Sequence, residues 1–165
     1  MTTAIAPDLG HLAFLVHTTL GTGPRAELKR LDPQRAATWP AIFWRLYSEH
    51  IEPRLGSEAT SEPVQRTWAT VLGSLALLKT GDVHPGSALA RVGYSELRLN
   101  RLLSARDERL LDEFRAAVRF LAAKKSAVDW PQFALLILHD PDSHTGDGVR
   151  RHLAGAYYRT LAAKD

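Results

Sequence analysis

Arginines and lysines recur through the second half of this sequence at spacings that place them on shared helix faces. Arg98 and Arg101 are three residues apart, and Arg115 and Arg119 four apart, so each pair stands on one side of a helix. Lys124 and Lys125 follow at the end of the second of these helices, where a cation also complements the helix dipole. Arg106 lies between the two helices, and Arg150 and Arg151 are expected to open the last helix, with Arg159 two to three turns on. Two arginines at a helix start oppose the dipole, which argues that an anion selects them, and the free N–H groups there attract phosphate too. Arg25, Lys29 and Arg30 form a second, N-terminal patch. The chemistry on offer is phosphate binding, and the excess of guanidinium over ammonium favours bidentate contacts. No helix carries a signature for reading bases, so sequence-independent contact with nucleic-acid backbone is the expected mode. The plainer account is a solvated helix face whose Glu–Arg pairs are worth only a few tenths of a kcal/mol.

Other chemistries find less support. His139-Asp140-Pro141-Asp142-Ser143-His144 is dense in metal-ligating types, but it is also ordinary loop vocabulary and has neither a His-Glu-x-x-His register nor calcium-loop spacing. No metal site and no cofactor are expected. Glu49, His50 and Glu52 are read as an exposed helix end and not as an acid–base group. With no cysteine, disulfides, thiolate nucleophiles and zinc–thiolate sites are excluded. Nucleophile elbows, phosphate-cradling glycine loops and dinucleotide fingerprints are absent, so no catalytic residue is nominated and the chain is read as a non-enzyme. Trp39, Trp44, Trp68 and Trp130 could stack on bases, but Trp68 lies on an apolar stripe and Trp130 reads as a helix-end anchor. Of the adjacent Tyr157 and Tyr158, about 100° apart on a helix, one should be buried and the other, Tyr158, is the one open to a ligand.

The elements that must hold these residues are helices. At 165 residues, with 45% hydrophobic and 24% charged side chains, the chain is of ordinary globular make-up. The net charge of +3 is unevenly spread: residues 1–90 balance 8 basic against 8 acidic groups, whereas residues 91–125 carry 9 against 5. No apolar run approaches the ~18 residues of a membrane span, and the start lacks the basic region of a secretory signal, so the cytoplasm is expected. Asp8 can cap a first helix with Leu12, Val16 and Leu20, ended by Gly21-Thr22-Gly23, and Pro24 suits the start of a second. Pro40 opens a stretch with Phe43, Tyr47 and Ile51, and Pro53 with residues 56–61 reads as a loop. Val64, Trp68, Val71, Leu72, Leu75 and Leu78 form the clearest stripe. A weak helix at 87–92 ends at Gly93; Ser95 caps the next, Asp107 the one after, and Asp129 a short helix with Pro131 in its first turn. A loop from His139 to Gly148 leads to the last helix. No strand shows convincing alternation. The reading is all-α, as two small helical bundles in tandem, 1–84 and 85–165, with the boundary within 81–94.

Four segments resemble the CasB family, the small subunit of the type I-E CRISPR Cascade complex. Gly93-Tyr94-Ser95-Glu96-Leu97-Arg98-Leu99-Asn100-Arg101-Leu102-Leu103 is similar to the family's Ser-Glu-x-Arg-hydrophobic-x-Arg-Leu-Leu stretch. Val128-Asp129-Trp130-x-x-Phe133-Ala134-x-Leu136 and the basic pair leading to a double aromatic, Arg150-Arg151 to Tyr157-Tyr158, follow in family order. Gly23 to Arg30 resembles its early Arg-Ala-x-Leu-Arg-Arg element, with Lys29 where an arginine is usual. The resemblance implies a non-catalytic helical protein in two bundles, present as a pair of copies within a larger assembly. Its partners would be crRNA, the target and displaced DNA strands and the other Cascade subunits, and its role R-loop support in antiviral defence. The candidate contacts are the thirteen basic residues named above. Two other classes compete: a helical protein–protein adaptor with an incidental basic face, and a metal-dependent enzyme using His139, Asp142 and His144.

Overall fold

The computed structural model describes residues 6–164, so most of the segment read for a secretory signal lies outside the described residues. The chain divides into two compact units, Met1–Ala76 and Leu77–Asp165. Among the described residues, the regular secondary structure is helical except for one short parallel ladder.

In the first unit, α1 (Leu9–Phe14) begins where the Asp8 carboxylate accepts from the His11 N–H at 3.0 Å, the cap expected from the sequence. It runs on into a π-helical turn, Leu15–Thr19. α2 (Thr22–Lys29) starts before Pro24, so Gly23 is helical and does not sit in a break. α3 (Ala41–Leu46), a second π turn (Tyr47–Ile51) and α4 (Glu52–Leu55) are continuous. Pro53, expected to begin a loop, lies instead in α4, two residues after the π turn ends. Residues Gly56–Thr60 form a 3-10 turn, and the buried Tyr47 hydroxyl donates to the Ala59 carbonyl at 2.6 Å. α5 (Glu62–Leu77) carries the predicted stripe, with Trp68, Val71, Leu72 and Leu75 buried.

The second unit opens with β1 (Lys79–Thr80), which pairs in parallel with β2 (Ala127–Val128) in the register Lys79 to Ala127 and Thr80 to Val128. Gly81 N–H to Val128 O at 2.7 Å and Asp129 N–H to Val83 O at 2.8 Å extend the pairing. Two residues per strand are too few to show alternation, so the sequence pattern does not reveal them. α6 (Pro85–Arg91) is capped by the His84 ring, whose Nδ1 accepts from the Gly86 N–H at 3.1 Å. It ends at Gly93, where φ is +81° and a side chain would be strained. α7 (Glu96–Ser104) is capped by Ser95, and α9 (Trp130–Leu138) by Asp129, both as predicted.

Two boundaries differ from the expectation. Arg106, not Asp107, stands at the N-cap of α8 (Asp107–Ala123), and Asp107 is its first residue, with φ +54°. α10 (His144–Lys164) begins well before Val149, because Ser143 Oγ accepts from the Gly146 N–H at 3.0 Å and starts the helix there. α10 lies along α6 so closely that a Cβ on Gly86 would be 2.2 Å from the Leu153 carbonyl oxygen. Beside them Leu99, Leu102, Phe114, Val118, Leu121 and Phe133 build the core. Trp130, read as a helix-end anchor, is a core residue with no exposed surface, packed on Phe114 and Phe133.

Candidate nucleic-acid interface

α7 and α8 pack against each other and bring Arg98 and Lys124 to one aromatic ring. The Arg98 guanidinium carbon lies 5.4 Å from the centre of Phe120, and Lys124 Nζ lies 5.8 Å from it, within the range of cation–π attraction. Tyr94 meets the same ring edge-on at 5.3 Å and is itself buried. Arg101, one turn beyond Arg98, is exposed, as are Arg119 and Lys125. Arg115 is half-buried on α8. Lys124 occupies the C-cap of α8, where the last carbonyls favour a cation. The face is thus cationic and partly apolar, with flat and charged groups presented together, and that combination suits phosphates flanked by bases.

Other predicted residues sit differently. Arg150 is only 7% exposed. Its Nε donates to Leu103 O at 3.2 Å and its Nη1 to Gly146 O at 3.3 Å, while Nη2 is buried without a partner. Burial pulls its pKa down, with the Arg106 charge adding to that and Asp142, Asp140 and Asp147 opposing it. Arg106 Nη1 reaches Leu103 O, Ser104 O and Ala105 O, and its Nε pairs with Asp142 at 3.3 Å. Arg25 Nη2 donates to His17 O at 3.1 Å and Leu20 O at 3.2 Å, where the π turn ends. All three guanidinium groups thus satisfy carbonyls left open at helix ends. Because α10 begins at His144, Arg150 and Arg151 lie about two turns inside it and do not oppose the dipole at a helix start. Arg151 is exposed and pairs with Asp147 at 2.9 Å. Lys29 and Arg30 are exposed at the end of α2.

Of the aromatic candidates, Trp39 is buried with its indole N–H on Asp32 O at 2.8 Å, whereas Trp44 keeps 38% exposure. Tyr157 is buried and donates to the Tyr94 carbonyl. Tyr158 is exposed, and a hydrogen bond with the Glu96 carboxylate leads the influences that raise its pKa. Phe120 is the residue of this face that sequence reasoning misses; its signal is an aromatic residue off the stripe of Leu110, Phe114, Val118 and Leu121, four residues before Lys124.

In the loop read as a possible metal group, Asp140 and Ser143 serve the backbone. Asp140 accepts from the Asp142 N–H at 2.9 Å, and Ser143 Oγ donates to Asp140 O at 2.6 Å. Among the described residues, no three His, Asp or Glu side chains are grouped to hold a metal ion. His50 stands 3.7 Å from Glu49 and stacks edge-on with His11. Among the described residues, no helix is long and apolar enough to cross a membrane.

Fold and face together define a small all-helical protein with an exposed cationic surface. The model of the family "CRISPR-associated protein Cse2" matches residues 24–158, and the chain belongs to that family, the CasB family of the sequence motifs. The fold is also similar to one chain in the crystal structure of E. coli Cascade bound to a PAM-containing dsDNA target. That likeness has a TM-score of 0.66 at 20% identity and covers 94% of this chain and 99% of that one. No curated protein matches the sequence.

Proposed function

We propose that the protein is the non-catalytic small subunit of a type I-E Cascade complex, holding nucleic-acid backbone without regard to sequence. In RNA-guided recognition, base pairing between guide and target supplies sequence discrimination, and protein supplies a charged track. Exchange of the DNA duplex for the RNA–DNA heteroduplex is nearly balanced in energy, so a few phosphate contacts suffice to stabilise the R-loop. The observation that carries this reading is the meeting of Arg98 and Lys124 over Phe120, with Arg101, Arg119 and Lys125 exposed on the same two helices. Arg115, Arg151, Arg159, Lys29 and Arg30 are further contacts in the proposal. Its partners are crRNA, the target and displaced strands, the other subunits and a second copy of the chain, in the cytoplasm.

The direct test is fluorescence anisotropy of labelled single- and double-stranded DNA and RNA across a salt series. Binding that is indifferent to sequence, with log affinity falling linearly against log salt, is the expected result. An absence of binding at low salt, together with an unchanged R-loop lifetime when Arg98 and Arg101 are replaced in the assembled complex, overturns it.

A further inference from the structure

Arg91 at the end of α6, and Arg159 and Lys164 near the end of α10, line a groove of 540 Å³ between those two helices, with His84, Ser87 and Thr160 on its wall. No Asp or Glu stands among the described residues that line it. We infer that this groove is a discrete phosphate-binding site, served by Arg91 and Arg159 and separate from the Arg98–Lys124 face. It rests on the backbone-binding proposal only for the claim that a nucleic-acid strand supplies the phosphate; the site itself stands on the groove.

Each polar group has a definable part. Lys164 Nζ is committed to Ala90 O at 2.7 Å and Arg91 O at 3.2 Å, so it closes the end of α6 and leaves the two arginines for a ligand. Arg159 is placed by a missing side chain: a Cβ on Gly155 would lie 3.0 Å from its Nη1, so the guanidinium rests on bare helix backbone. The Thr160 hydroxyl is committed to Ala156 O at 2.8 Å. Ser87 offers a hydroxyl to the groove. His84 spends Nδ1 as acceptor for the Gly86 N–H, so the neutral ring carries its proton on Nε2 as a donor.

Two guanidinium forks, an imidazole N–H and a hydroxyl, with no carboxylate among the described residues of the lining, are the donors a phosphate takes. Burial holds His84 below its ordinary pKa, with Asp129 pulling it up and the charges of His152 and Arg159 pushing it down.

The test uses the full chain labelled with ¹⁵N, titrated with inorganic phosphate and, separately, with a single-stranded oligonucleotide with and without a 5′-phosphate. Saturable shifts confined to the amides of 84–91 and 155–164 are expected. They should weaken roughly tenfold or more in Arg91→Gln/Arg159→Gln, because each arginine supplies charge-assisted hydrogen bonds that glutamine cannot. The shifts with inorganic phosphate should be unchanged in Arg98→Gln/Lys124→Gln. Competition between oligonucleotide and phosphate for the same amides assigns the phosphate to a strand; binding of phosphate with no competition supports a site for the free anion and counts against the strand as its source. If no amide of the groove responds, or the response survives in Arg91→Gln/Arg159→Gln, the inference fails. Oligonucleotide binding that disappears only in Arg98→Gln/Lys124→Gln would then leave the proposed function standing without the groove.

Discussion

Arg150 directs its Nε–H at the backbone carbonyl of Leu103, 3.2 Å away and 47 residues earlier in the chain. The same carbonyl receives Arg106, so two guanidinium groups crowd the end of α7, and the buried one is held there by packing as much as by charge. An arginine read from sequence as a ligand contact is thus part of the framework on which the exposed arginines stand.

Replacing Arg150 with Ala should destabilise the protein by about 2–4 kcal/mol, because it empties a buried site and strips the Leu103 carbonyl of a partner. Arg151→Ala should change stability by less than ~0.5 kcal/mol, since its pair with Asp147 is exposed. Urea unfolding of the two variants separates them, and equal losses would refute the distinction.

Arg98→Gln with Arg101→Gln should weaken single-strand binding by about tenfold and lower the slope of log affinity against log salt by about two, roughly one for each phosphate that goes unneutralised. Stability should move little, as neither residue belongs to the core and a cation–π contact at the surface is worth ~0.5–1 kcal/mol. Anisotropy alongside circular dichroism melts reads both quantities.

Gly86→Ala should cost about 3 kcal/mol or more, because its methyl would meet the Leu153 carbonyl at 2.2 Å where α6 packs on α10. A melting temperature equal to wild type would show that the two helices part without penalty.

Acidification should weaken the fold through His84. Its folded pKa is held below the ordinary 6.5, chiefly by burial. The unfolded chain therefore takes up the proton first. The stabilisation is complete above about pH 6.5 and is lost as pH falls from there through the folded value. Protonation also removes the Nδ1 lone pair that caps α6. His84→Asn keeps a capping side chain and should flatten this part of the stability profile between pH 7 and 5; an unaltered profile would place the effect on other histidines.

Helices that carry their own start signals are legible in the sequence. Asp8, Ser95 and Asp129 each announce a cap, and the Trp68 stripe announces α5, because these signals act within a few residues. The π turns after Phe14 and Leu46 are not announced by any cap or breaker in the sequence. The candidate site is legible as a set of cations but not as an arrangement. Arg98 and Arg150 look alike in sequence, and only the fold supplies the carbonyls that capture one and the aromatic ring that displays the other. Leu97 is 61% exposed, because Leu99 and Leu102 take the inward face of α7.

The parallel pairing of Lys79 with Ala127 has a consequence for synthesis. Forty-eight positions separate the two partners, so the ladder cannot close until α6, α7 and α8 have all been made. α6 then still waits for α10, which is made after α9. The second unit is therefore finished late and nearly all at once, its slow step the closure of distant segments and not the winding of any helix. Until then, the apolar sides of α6 and α8 are the stretch of nascent chain most in need of shelter.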